Sequence, residues 1–427
     1  MNIAIIMCLL IGLMMLHVPI AFALGFVSMV YMWLSDIQLV ILAQQIANGP
    51  DSWILLAMPL FVLAGLLMNT TGISHRLIGF AGALVGHFRG GLGLVNVIAN
   101  MIMGGISGSA VADVAALGSI LIPGMEKEGY PKDFTAALTS SAGSIGIIIP
   151  PSIPMIIFAA VAGTSVGALF IGGLIPGIIV GLSQMIVVYI MARRYNWGTI
   201  HSFSVSKLMM ATKSSILALL LPLIIVGGIL SGVFTPTEAG AVGVVYSIFV
   251  AAFIFRSISF KALYKALVES AVLTSVVMII ISTSYTFSWV LSHEEIPQAI
   301  TKIFVGLSSD PTIILILFTL LLMIAGCFLH GDPIVLIIIP MMLPTVKMLG
   351  INLVHFGMIV VFTVAIGQQT PPVGSTLFVV SALSGLDIVA ITKKNLAFIG
   401  LFVLITTLLI LFPEIVLYLP RKVFPVL

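Results

Sequence analysis

The sequence predicts an all-α, polytopic membrane protein made of two inverted repeats, each with a re-entrant hairpin and a broken helix. Composition supplies the first part. The chain is 60% hydrophobic and 7% charged, with a mean hydropathy of +1.29, whereas a soluble domain carries roughly 25% charged residues. The apolar runs lack the alternation of a membrane β-barrel, so the spans are helical. The second part rests on two interruptions. Ile366-Gly367-Gln368-Gln369-Thr370-Pro371-Pro372-Val373-Gly374-Ser375 breaks the apolar segment 353–386, and Ser144-Ile145-Gly146-Ile147-Ile148-Ile149-Pro150-Pro151-Ser152 breaks 134–162. Paired prolines remove amide donors and push the preceding residue out of α geometry. Irregular backbone persists at membrane depth only where protein or a cavity surrounds it.

In order, residues 3–34 read as one long first span, since about 20 apolar residues cross a bilayer. Residues 36–50 are short and mixed, and are expected at the interface. Residues 53–69 span, and 74–87 look amphipathic. Residues 92–106 and 110–125 each have the length to reach mid-membrane and return, with Ser107-Gly108-Ser109-Ala110-Val111-Ala112-Asp113 at their tip. The first break follows. Residues 168–192, 214–232, 237–255 and 267–291 span, and 296–308 is interfacial. A second hairpin, 311–326 and 333–349, is tipped by Gly326-Cys327-Phe328-Leu329-His330-Gly331-Asp332-Pro333. The second break and a last span, 396–419, complete the chain. The first repeat is then 1–195, with hairpin 92–125 and broken helix 133–163. A cytoplasmic connection covers 196–213. The second repeat is 214–427, with hairpin 311–349 and broken helix 352–386.

Basic residues set the orientation. Arg193, Arg194, Lys207 and Lys213 precede the 214–232 span, and Arg256, Lys261 and Lys265 follow the 237–255 span. Both clusters are expected in the cytoplasm, which brings the first hairpin in from that side and the second from the other. Lys302, Lys347 and Arg421-Lys422 run against the rule. The net charge of +3 is small and sits at span ends, so nucleic acid is not implied. Cys8 and Cys327 lie in apolar segments and suggest neither a disulfide framework nor a metal site. The amino terminus lacks a basic region and a small-residue cleavage site, so the first span is expected to be retained.

Paired interrupted segments are the sequence mark of a secondary transporter's binding site. Unwound carbonyls and hydroxyls there suit a small hard cation, and helix amino termini suit an anion. Ser107, Ser109, Ser144 and Gly146 form one candidate cation site. Gly326, His330, Ile366 and Thr370 form its inverted twin. Ser152, Gly374, Ser375 and Thr376, beside Pro151 and Pro372, are the candidates to meet an anionic substrate. Asp113 and Asp332, the acids expected near mid-membrane, join the two cation sites. Each also reads as a cap of its hairpin's second helix, and Pro333 favours that reading for Asp332. His330 lacks a His or Cys partner and reads as a packing residue before a metal ligand. Gly163-Thr164-Ser165-Val166-Gly167 lacks the strand–turn–helix setting of a hydrolase elbow. Gly173, Gly177 and Gly181 read as a close helix contact. Phe234-Thr235-Pro236-Thr237-Glu238-Ala239-Gly240 reads as a capping box with Pro at the first turn.

Gly105-Ile106-Ser107-Gly108-Ser109-Ala110-Val111-Ala112-Asp113, Ile149-Pro150-Pro151-Ser152-Ile153-Pro154, 234–240 and Thr370-Pro371-Pro372-Val373-Gly374 together resemble the large membrane subunit of tripartite ATP-independent periplasmic (TRAP) transporters. The resemblance runs through essentially the whole chain. It implies a sodium-driven importer of an organic acid (a C4-dicarboxylate, sialic acid or a sugar acid) in a bacterial or archaeal inner membrane. It implies Na+ as the coupling ion, a periplasmic substrate-binding protein that delivers the cargo, and a small four-helix membrane subunit as partner. It implies an elevator mechanism like that of divalent-anion/sodium symporters, with 92–163 and 311–385 moving against the remainder. The runner-up keeps the fold and drops the partners: a stand-alone sodium/organic-anion symporter. A channel is disfavoured because the polar groups cluster at two breaks and form no rings along a pore. No paired catalytic residues suggest an enzyme, and no phosphate-binding loop suggests an ATP-driven pump.

Overall fold

The computed structural model describes all residues except 1–2, 17, 199–201, 330 and 425–427, and among the described residues it is helical without strands. The expected first span, 3–34, is two helices, α1 (Ile3–Met15) and α2 (Ile20–Leu34). Pro19 precedes α2 in an extended conformation, φ −56° and ψ 135°, and has no amide to continue a ladder. A straight helix of that length would also exceed the roughly 30 Å hydrocarbon core. Helix α3 (Val40–Asn48) is short, as expected for an interfacial segment. Helices α4 (Ala57–Thr70) and α5 (Ile73–Val85) meet at a 76° bend, where Gly72 takes φ 69°.

The first hairpin is α6 (Gly91–Ser107) and α7 (Ala110–Lys127), reversed at Gly108 with φ 63°. The first broken helix is α8 (Lys132–Ser144), a 3-10 turn (Ile145–Ile147) and α9 (Ile153–Ala162). Helix α10 (Val166–Tyr195) is a long span. Helix α11 (Val205–Leu230) starts inside the segment read as a polar connection, because Ser204 caps it by accepting from the Lys207 amide at 3.4 Å. The connection is therefore shorter than 196–213. Helix α12 (Pro236–Phe249) opens on the expected Thr235–Glu238 capping box and ends in a π-helical turn, Val250–Ile254. Helix α13 (Phe260–His293) is followed by the short α14 (Ile296–Leu307).

The second hairpin is α15 (Pro311–Phe328) and α16 (Gly331–Met348), and the second broken helix is α17 (Leu353–Gln368) and α18 (Ser375–Ser384). The last span is displaced from 396–419. Helix α19 (Ile388–Leu411) starts at its Asp387 cap, and α20 (Glu414–Val423) is separate because Pro413 intervenes. Seven described helices are long and apolar enough to cross a membrane, or eight if the bent α4–α5 pair counts as one.

Hairpins and broken helices interlock. Helices α7 and α8 both pack on α18, α16 packs on α9, α15 on α17, and α19 on α8 and α17. Helix α4 packs on α12 and α13, and it also touches α6 and α9. Glycines set the closest approaches. A Cβ on Gly104 would stand 2.3 Å from the Gly146 Cα, and one on Gly367 would stand 2.9 Å from the Gly326 Cα. Each hairpin thus lies backbone-to-backbone against its broken helix.

Candidate functional site

Within the first hairpin, Gly108 ends α6 in the left-handed conformation that glycine adopts without strain. Ser109 then caps α7, its hydroxyl accepting from the Ala112 amide at 3.5 Å. This turn stacks Ser107 over Asp113. The Ser107 hydroxyl donates to Asp113 Oδ1 at 2.5 Å and accepts from the Ser109 amide at 3.1 Å. Asp113 is fully buried, and its Oδ2 has no hydrogen-bond partner among the described residues. That oxygen faces the first break, where a Cβ on Gly146 would lie 2.5 Å from it. A Cβ on Gly108 would lie 2.6 Å from the Pro151 carbonyl oxygen. Ser107, Ser109, Asp113 and Gly146 are therefore brought together. A buried carboxylate oxygen without a donor is costly unless something cationic meets it. The chemistry suits a small hard cation held by oxygens. Asp113 sits in the first turn of α7, but the capping hydroxyl is that of Ser109.

Other candidates in the first break are committed elsewhere. The Ser144 hydroxyl donates to the Ser140 carbonyl at 3.0 Å. The Ser152 hydroxyl caps α9 and donates to the Ile147 carbonyl at 2.5 Å, closing the break. Pro150–Pro151 and Pro371–Pro372 are both cis.

At the second break, Gly326 lies on Gly367, and the Val373 amide donates to the Cys327 carbonyl at 3.1 Å. The Ile366 carbonyl already accepts from the Thr370 hydroxyl at 2.7 Å and the Gln369 amide at 3.2 Å. The Gly374 amide donates to the Thr370 carbonyl at 3.0 Å. Thr376 donates to the Gln368 carbonyl at 2.7 Å and meets the hydroxyl of Ser140, on α8 of the first broken helix, at 2.8 Å. Ser375 Oγ and Gln368 Oε1 are buried without partners among the described residues. His330 lies outside the described residues. Asp332 has no described hydrogen-bond partner.

A cavity of about 230 Å³ joins the two tips: Ser107, Ser109 and Ala112 of the first hairpin, and Asp332 of the second, share its wall with Ile153. Ser144, Gly146, Pro151, Ser152 and the second-break candidates Thr370, Pro372, Gly374, Ser375 and Thr376 do not line it. The opposite wall belongs to α4 and α13, including Gly65 and Asn69. Sequence reading missed both. Asn69 ends an apolar run and looks like a helix terminus. It also missed buried polar pairs that brace the site. Asn96 donates to the Thr139 hydroxyl at 2.7 Å, Asn100 to Asn96 Oδ1 at 2.8 Å, and Asn395 to the Gln369 carbonyl at 2.9 Å. The i, i+4 spacing of Asn96 and Asn100 inside an apolar run was the available signal.

Residues 7–415 match the family "Tripartite ATP-independent periplasmic transporter, DctM component". The chain is 42% identical over 380 residues to the C4-dicarboxylate TRAP transporter large permease protein DctM of Pseudomonas aeruginosa, covering 89% of each. It is 36% identical over 411 residues to the sialic acid TRAP transporter large permease protein SiaM of Vibrio cholerae, covering 96% of each. Its fold is similar to that of the antimetabolite efflux pump MtrF of Neisseria gonorrhoeae, with a TM-score of 0.62, 14% identity and coverage of 88% of this chain and 83% of that one.

Proposed function

From the premise that this chain belongs to the DctM component family of tripartite ATP-independent periplasmic transporters, and so is a multi-pass TRAP large permease of the inner membrane, we propose that it imports an organic acid driven by sodium. The observation that carries this reading is Asp113: a buried carboxylate with one oxygen tied to Ser107 and the other unpartnered against Gly146. Ser107, Ser109, Asp113 and Gly146 hold one sodium ion, and Ser144 joins them through the lone pairs that its bond to the Ser140 carbonyl leaves free. Gly326, His330, Asp332, Ile366 and Thr370 hold its counterpart once the second break frees the Ile366 carbonyl. The cargo sits beside them, with Ser375 and the first-turn amides of α18, which follow Pro372 and Gly374, available to its carboxylate.

Relatives of this chain are named for a C4-dicarboxylate and for sialic acid, and the cargo is an organic acid of that kind. The protein acts with a small four-helix membrane subunit and a periplasmic substrate-binding protein. It works as an elevator, in which 92–163 and 311–385 move as one body past α4 and α13. The interlocking of α7, α8 and α18 and of α9 and α16 supports one moving body.

The test is uptake into proteoliposomes holding this protein and its small subunit, with sodium gradient and external binding protein varied separately. Uptake that needs both is expected. Uptake without the binding protein would make this a stand-alone symporter. Uptake indifferent to sodium would overturn the ion sites.

A further inference from the structure

We propose that Ser140, on α8 and one turn before the first break, is a positioning residue that sets the geometry of the second break and so makes the two sodium sites cooperative. This inference rests on the sodium reading above. Its basis is a hydrogen bond between residues 236 positions apart in the chain. Other hydroxyls on α8 serve their own helix. Thr135 donates to the Pro131 carbonyl at 3.0 Å, Thr139 to the Thr135 carbonyl at 2.8 Å and Ser144 to the Ser140 carbonyl at 3.0 Å. Such bonds to the preceding turn are the ordinary habit of Ser and Thr inside a helix. Ser140 instead meets the Thr376 hydroxyl of α18 at 2.8 Å. The proton count fixes the direction of that bond. Thr376 has one proton, and the Gln368 carbonyl 2.7 Å away can only accept it. The proton between the two hydroxyls therefore comes from Ser140, and the chain runs from Ser140 to Thr376 to Gln368. Both side chains are fully buried, so a donor lost there is not replaced by solvent.

Thr376 is the second residue of α18, and Gln368 is the last of α17. Their bond clasps the unwound stretch 369–374, as the Ser152 hydroxyl closes the first break on the Ile147 carbonyl. The clasp governs how Ile366 and Thr370 stand relative to the first turn of α18. Those groups serve the second sodium and the cargo's carboxylate in the reading above. Ser140 also reaches the first site, because its backbone carbonyl accepts the hydroxyl of Ser144. One residue is thus tied to the first sodium set by its carbonyl and to the second break by its side chain. The element with two arrangements is the second break, its Ile366 carbonyl either bonded to Thr370 and Gln369 or freed for an ion. An ion at the first site steadies Ser144 and Ser140, and a steadied clasp presents the second site preorganised. The coupling is reciprocal, so each ion favours the other.

The experiment measures initial uptake against sodium concentration, in proteoliposomes holding this protein and its small subunit, with cargo-loaded binding protein at saturation. The unaltered protein is expected to give a sigmoidal curve. In Ser140→Ala the sodium needed for half-maximal uptake is expected to rise about fivefold and the Hill coefficient to fall towards one, while the maximal rate drops by less than about twofold. A residue that only held α8 in its fold would lower the maximal rate and the amount inserted and leave half-activation in place. Thr376→Ser keeps the hydroxyl and is expected to keep the Hill coefficient; Thr376→Val is expected to lose it. Ser140→Ala combined with Thr376→Val is expected to be no worse than Thr376→Val alone, because both act on one bond. If the valine variant fails to insert, Ser140→Ala and Thr376→Ser carry the test. Unchanged half-activation and Hill coefficient in Ser140→Ala, a sodium-dependent but non-sigmoidal curve for the unaltered protein, or additive losses in the double variant overturn the proposal. Uptake by the unaltered protein that is indifferent to sodium overturns the sodium reading itself, a distinct result.

Discussion

Asp113 stands where the burial of a charge would be hardest to sustain without a cation. It receives one hydrogen bond, from Ser107, and its second oxygen meets a glycine where any other residue would push it away. Two outcomes follow. Gly146→Ala forces the carboxylate to shift, because the new Cβ would stand 2.5 Å from Oδ2. The sodium concentration for half-maximal uptake is expected to rise about tenfold, or ~1.4 kcal/mol. Ser107→Ala strips the carboxylate of its donor and is expected to weaken sodium activation as much or more, with insertion intact by size-exclusion chromatography. Sodium activation unchanged in both would remove Asp113 from the ion site. That Ser107 and Asp113 share one polar tip was legible in the sequence, because a polar tip inside an apolar run must turn back on itself; the hydrogen bond between them was not. Asn69 was not, since an amide ending a run of apolar residues is indistinguishable from a helix terminus until the tertiary fold brings another tip against it.

Among the elements, the breaks and hairpins were readable because Pro-Pro and Gly-rich tips forbid continuous helix. The α1–α2 break was missed although Pro19 stands in the sequence: Val18 and Ile20 on either side of it are apolar, and hydropathy alone does not register one lost hydrogen bond. Helix pairing was also invisible, because close backbone contact depends on glycines from distant segments. Gly65→Leu is expected to keep the hairpin tip off α4 and to abolish uptake while the protein still inserts; wild-type uptake would show that the tip does not use this face. Gly367→Leu should likewise part α17 from α15, where a Cβ already stands 3.0 Å from the Gly326 carbonyl oxygen. The polar braces act on stability. Asn96→Leu leaves Asn100 and the Thr139 hydroxyl with one partner fewer in the buried core. A loss of about 1–3 kcal/mol is expected, read as a lowered unfolding midpoint in detergent, with sodium affinity retained.

For the whole molecule, the tip cavity lies between two groups of helices. One side is built from hairpins and broken helices that pack on one another through α7, α8, α9, α16 and α18, and the other from α4 and α13. The two-fold order of hairpin then broken helix was legible from composition and punctuation. The shared cavity was not, since no sequence pattern reports that Ser109 and Asp332 end on one wall. The elevator account requires that wall to travel past α4. Val62 of α4 and Ala112 of α7 both line the cavity, from opposite walls. In a Cys8→Ser, Cys327→Ser background, Val62→Cys and Ala112→Cys are joined by a short, reducible bifunctional thiol reagent, and sodium-driven uptake is measured before joining, after joining and after reduction. Uptake lost on joining and restored on reduction is the predicted result. Full uptake by the joined protein would contradict the account, because cargo would then cross without the hairpin moving against α4.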